Sequence, residues 1–171
     1  MKSFPRWKVM TIAITVPLVV VFDQWTKQLI LNRFQWGQSL PIIDSFFALT
    51  YVRNMGAAFG ILHNAPSYFR EPFFILIPIL AMVIITAVLA KLNSTQKLTG
   101  VALSLVMGGA IGNLIDRVRF GYVVDFLDFH WKEVYHWPAF NIADSCIVVG
   151  VCYLFIHSFF QENPPKNEHS S

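Results

Sequence analysis

The chain is poor in charge. Asp, Glu, Lys and Arg make up only 13% of its 171 residues, against about 25% in a soluble domain. With 55% hydrophobic residues, the composition excludes an ordinary soluble domain and indicates an integral membrane protein. The formal net charge is only +3. No basic stripe with interleaved aromatics occurs, so no nucleic-acid partner is expected. Cysteine is scarce as well. Cys146 and Cys152 are the only two, and at this spacing they lie on different sides of a helix. That argues against a disulfide and leaves both as small apolar packing residues. Two hydrolase signatures are missing. There is no His-Glu-x-x-His and no Gly-x-Ser-x-Gly, so neither zinc-dependent nor serine chemistry is supported. No metal or cofactor is expected. Asp128, His130 and His136 form a candidate metal cluster, but as residues of an exposed loop they are expected to be solvated.

What the chain does have is long apolar runs, and a helix needs about 20 such residues to cross a bilayer. Four are expected at about 9–31, 72–90, 98–117 and 140–160. Pro17 and Pro78 fall inside them, which membrane helices tolerate. The first run follows Lys2, Arg6 and Lys8, as in a signal peptide. It is too long for one and lacks a small-residue cleavage site, so it is expected to stay as an anchor. The dense positive charge before it, and Lys91 and Lys97 in the second linker, place both termini in the cytoplasm. Outer segments then cover about 32–71 and 118–139. Residues 40–53 are rich in β-branched and aromatic types and suit short strands. Met55 to Leu62 suits a short amphipathic helix at the interface. Trp131, Tyr135 and Trp137 suit headgroup anchoring. The chain reads as one membrane-embedded domain, mainly α, with a disordered tail at about 161–171.

The few charges cluster. Asp144 is the only formal charge from Val134 to Gln161, at the start of the last apolar run. A carboxylate there is costly and needs a partner. Asp125, in the preceding outer segment, can supply one. Asp23 and Lys27 stand four apart on the first helix, the spacing of a helix-stabilising pair. Gly109, Asn113 and Asp116 share one side of the third. Asp116 and Arg117 are read as an internal salt bridge, with Arg117 also tethering an outer loop. Asn141 lies one turn before Asp144, and Asn54 in the first outer segment is a turn or substrate-contact residue. Two carboxylates close together cannot both ionise easily. One can then act as base on water while the other donates a proton. Acids of this kind also serve proton-coupled transporters, but those spread them through the membrane depth.

Five stretches carry a more specific signal: Phe22-Asp-Gln-Trp-Thr-Lys27, Arg53-Asn-Met-Gly-Ala-Ala-Phe-Gly60, Gly108-Gly-Ala-Ile-Gly-Asn-Leu-Ile-Asp-Arg117, Val123-Val-Asp-Phe126 and Phe140-Asn-Ile-Ala-Asp-Ser145. In order and spacing they resemble the motifs of bacterial lipoprotein signal peptidase, or signal peptidase II. The resemblance implies a four-helix inner-membrane aspartyl endopeptidase. Such an enzyme cuts prolipoproteins just before the diacylglyceryl-modified cysteine, and its outer sheet forms a cradle on the membrane. It implies Asp125 and Asp144 as the catalytic pair. Asn54, Gly56, Asn113, Arg117 and Asn141 take supporting or substrate-binding roles, with Asp23, Lys27 and Asp116 as structural polar residues. It further implies lipid-modified precursors and membrane lipids as partners, inhibition by globomycin, and a flap after Asn54.

Overall fold

The computed structural model describes residues 5–56, 66–132 and 134–161. The expected helix and flap after Met55 and the tail beyond Gln161 lie outside these residues. Among the described residues, four helices are long and apolar enough to cross a membrane. They are α1 (Arg6–Arg33), α2 (Ser67–Lys91), α3 (Lys97–Phe120) and α4 (Ile142–Gln161). Each runs a few residues past or short of the apolar core read from sequence. α3 continues to Phe120 because Gly121 terminates it in the left-handed region, at φ 76°. An L side chain is disfavoured there, and a glycine is not.

The bundle is built around α3. In its most apolar stretch 56% of residues are buried, against 11% in each of the other three helices. Small residues permit this. A Cβ on Gly112 would sit 2.6 Å from Asp23 Oδ2, and one on Gly150 would sit 2.6 Å from the Ala102 carbonyl oxygen. Bare backbone at these crossings lets α1 and α4 press against α3, the usual means of membrane helix association. Ile85 and Leu89 of α2 and Leu103 and Met107 of α3 form one apolar core. The outer surfaces of the bundle stay apolar and exposed, with Leu18, Leu76, Val83 and Phe159 each more than 60% accessible. A shell of that kind suits lipid and would be an aggregation liability in water.

Among the described residues, four antiparallel strands lie in the order β1-β2-β3-β4. They are β1 (Ser39–Ile43), β2 (Phe47–Asn54), β3 (Val123–Trp131) and β4 (Tyr135–His136). Tyr51, Val124 and Phe126 pack on Ile30 near the end of α1, with Ile142 at the start of α4 beside them. The sheet therefore covers the end of the bundle where α1 and α3 finish and α4 begins. β3 corrects the reading of 118–139 as loop. Only its second half, Leu-Asp-Phe-His-Trp, alternates apolar and polar as a strand signature requires, but the strand pairs along β2. Asp125 thus stands on a central strand.

Candidate active site

Asp144 occupies the first turn of α4, where a carboxylate is favoured by the helix dipole. Asn141, just before the helix, accepts a bond from Asp144 N at 2.9 Å through Oδ1. Asp144 Oδ2 in turn accepts from Asn141 N at 3.2 Å. This reciprocal pair is a capping box, with Asn and Asp in place of the commoner Ser/Thr and Glu. It fixes the Asp144 side chain as a by-product of starting the helix. Asn113 Nδ2 donates to the other oxygen, Oδ1, at 2.7 Å.

Asp125 is 1% exposed and faces the same polar centre. Asn54 Nδ2 donates to its Oδ2 at 2.9 Å, and Asn141 Nδ2 donates to its Oδ1 at 2.6 Å. Asn141 therefore binds both carboxylates, that of Asp125 through its side-chain Nδ2 and that of Asp144 through its backbone N. Burial pushes the Asp125 carboxyl up to about 7, and the charge of Asp144 adds to that. The bonds from Asn54 and Asn141 oppose the rise without cancelling it.

Beneath the two acids lies a second polar layer. Lys27 is 1% exposed. Its ammonium reaches Asp23 Oδ2 at 2.9 Å, Asp116 Oδ2 at 3.0 Å and Asn113 Oδ1 at 2.9 Å. Three acceptors meet its three donors. Asp23 Oδ1 accepts from Ala143 N at 3.0 Å, and Asp116 Oδ2 from Val124 N at 3.0 Å. The layer thus pins the backbone beside both Asp144 and Asp125. The expected Asp116–Arg117 bridge is not what forms, because adjacent helix residues point in different directions. Asp116 pairs with Lys27. Arg117 instead donates to the Gly56 carbonyl at 3.4 Å and lies over the Phe74 ring. Gly56 N bonds Asn54 Oδ1 at 3.0 Å, which shapes the turn that presents Asn54.

The structure thus brings together every residue singled out from the motifs. Sequence reasoning gave no role to Gln24, whose Nε2 bonds Asp116 Oδ1 at 2.8 Å and the Gly112 carbonyl at 3.1 Å. Its position between Asp23 and Lys27 was the available signal. Asp128, His130 and His136 do not form a solvated loop cluster: the first two stand on β3 and the third on β4.

The acids open onto a groove of about 880 Å³, within the size range of ligand sites. Asn54, Arg117, Asp125 and Asp144 supply its polar wall, and Trp137, Phe140 and Ile147 part of its apolar wall. Val148 and Val149 also line it, and both are more than half exposed on the outer side of α4. The groove is therefore open toward lipid. Its chemistry is that of two carboxylates sharing a network of neutral amides, with one guanidinium at the rim.

Residues 15–160 match the family model for signal peptidase (SPase) II. The lipoprotein signal peptidase of Syntrophotalea carbinolica is 55% identical over 139 residues, covering 81% of this chain and 84% of the relative. That of Geobacter metallireducens is 48% identical over 150 residues, covering 88% and 90%. A bacterial membrane enzyme solved by the in meso method superposes with a TM-score of 0.83 at 35% identity, covering 95% of this chain and 96% of that one. Signal peptidase II enzymes are proteases that act on lipoprotein precursors in membranes. A match over most of the chain, at this identity and with this fold, means that the protein belongs to the signal peptidase II family.

Proposed function

We propose that this chain is an aspartyl endopeptidase of the bacterial inner membrane. It removes the signal peptide from diacylglyceryl-modified prolipoproteins, cutting just before the lipidated cysteine. Both termini are cytoplasmic and the site lies near the outer face. The observation that carries this reading is the shared clamp of Asn141 on Asp125 and Asp144, at the head of a groove open toward lipid.

In the mechanism, the pair holds one proton at rest, since two close carboxylates resist double ionisation. The ionised member takes a proton from water, and the water oxygen bonds the scissile carbonyl carbon. The protonated member gives its proton to the carbonyl oxygen, leaving a tetrahedral diol. The C–N bond then breaks as the amine takes the dyad's proton, and one hydroxyl of the diol gives its proton to the other carboxylate, so the carboxyl product forms and the pair is back to one proton. Arg117 and Asn54 hold the peptide backbone. The exposed valines of α4 let the substrate's acyl chains remain in the bilayer while its peptide bond reaches the acids. A cyclic peptide of the globomycin type would block the same groove. A proton-coupled transporter is less well supported: the buried acids gather in one hydrogen-bonded cluster, and no acid lies along 72–90.

The test uses purified Asp125→Asn and Asp144→Asn protein and a lipid-modified precursor. Both variants should fold and lose activity by at least about 100-fold, the scale of acid–base catalysis. Turnover at the unmodified rate by either one refutes the assignment.

A further inference from the structure

We propose that Asp128, His130 and His136 form a zinc-binding site that staples the β3–β4 wall of the groove. Strand geometry gathers the three. Asp128 and His130 are two apart on β3 and so project from one face. His136 is the cross-strand partner of His130. Alternation along β3 turns this face away from the one bearing Asp125, so the site is separate from the acid pair and does not depend on its assigned role.

Three donor atoms, one from each side chain, lie within 4.8 Å of one another. His136 Nδ1 is 3.1 Å from Asp128 Oδ1, and His130 Nδ1 is 3.8 Å from the same oxygen. Tetrahedral zinc with bonds of about 2.0–2.1 Å keeps its ligands about 3.3 Å apart. The two imidazoles stack with centroids 4.9 Å apart and planes 23° apart, so binding turns the half-exposed His136 ring until both nitrogens face one cation. The second observation is an orphan. The His130 side chain is 6% exposed, and its buried Nδ1 makes no hydrogen bond among the described residues. A buried ring nitrogen without a partner is costly, and this one is aimed at the Asp128 carboxylate. Thr50 Oγ1 bonds the other Asp128 oxygen at 3.2 Å, an outer contact of the kind that orients metal ligands. His136 is half exposed, so the cation has an entry path and a fourth position open to water. Two imidazoles and one carboxylate favour a borderline transition cation over Mg2+ or Ca2+, which prefer oxygen.

The consequence lies next in the chain. Trp137 follows His136 directly, its N donating to the Phe129 carbonyl at 2.8 Å, and residues 137–140 line the groove. A metal bridging β3 and β4 would hold that wall in place.

The test takes the full chain in detergent, with any affinity tag removed. After treatment with a chelator, the protein is equilibrated with Zn2+ and desalted. Elemental analysis should find one zinc per chain, and melting should move up by several degrees. His136→Ala, at a half-exposed position, should melt like the metal-free parent and show neither zinc retention nor the shift. His130→Gln should behave likewise. The proposal is overturned if the parent retains no zinc, if His136→Ala retains it equally, or if Mg2+ raises melting as much as Zn2+.

Discussion

Asn141 and Asp144 cap one another. The amide oxygen of the first accepts from the backbone of the second at 2.9 Å, and the carboxylate of the second accepts from the backbone of the first at 3.2 Å. The same amide nitrogen donates to Asp125 at 2.6 Å. One residue therefore starts α4 and holds Asp125 through its side chain, while its backbone N fixes the Asp144 carboxylate.

These roles can be separated by substitution. Asn141→Ser keeps a good helix cap, whereas Asn141→Ala removes it at a cost of about 1 kcal/mol. Neither reaches Asp125. Both variants should lose peptidase activity by about 10-fold or more, while only the alanine variant melts clearly lower. Thermal melts in detergent beside cleavage rates would measure the two effects. Full activity in the serine variant would mean that the Asp125 contact is dispensable.

Lys27 is the counter-charge of two buried acids. Lys27→Met leaves Asp23 and Asp116 without it, a loss of about 3–5 kcal/mol for a broken buried pair. Adding Asp116→Asn should recover part of that loss, because one uncompensated charge is removed. Chaotrope unfolding of both single variants and the double variant gives the coupling. Additive losses would show that the network does not act as a unit.

Asp125 gives stability a pH dependence. Its carboxyl is held at about 7 in the folded protein, above the ordinary 3.8. Between those values the folded form keeps a proton that the unfolded form has shed. Stability from this group is thus fully present below the unfolded value and is lost as pH rises toward 7, by up to about 1.4 kcal/mol per pH unit. Asp125→Asn should flatten the profile of melting temperature between pH 4 and 7. A profile as steep as that of the parent would locate the titration elsewhere.

Catalytic rate should follow a bell. It falls on the alkaline side as the shared proton leaves the pair, and on the acid side as a second proton arrives. A rate unchanged from pH 5 to 9 would contradict a shared proton.

Gly112 marks the tightest approach of α3 to the polar layer. A methyl there would meet Asp23 Oδ2 at 2.6 Å and the Ala143 Cβ at 3.3 Å. Gly112→Ala should destabilise by about 1–3 kcal/mol, the range for overpacking. It should also lower activity, because Asp23 holds the backbone next to Asp144. Parent-like melting would mean that α1 can shift freely.

The sequence by itself determined the membrane character, the four helices and the residues of the polar cluster. These follow from local quantities: run length, charge scarcity and short motifs in which Asn141 and Asp144, or Asp23 and Lys27, meet across one helical turn. It showed alternation only in the Leu127–Trp131 half of β3, and Asp125, Asp128 and His130 read as loop until the pairing with β2 was visible. Tertiary structure alone decided which acid pairs with which cation. Asp116 is next to Arg117 in sequence yet bonds Lys27, 89 residues away, because helix geometry splays neighbours apart while packing at Gly112 brings α1 against α3. It likewise decided that one asparagine spans both carboxylates and that three residues of an apparent loop share a face. Each of these depends on contacts between separate elements, and such contacts depend on close approach and burial rather than on any local pattern.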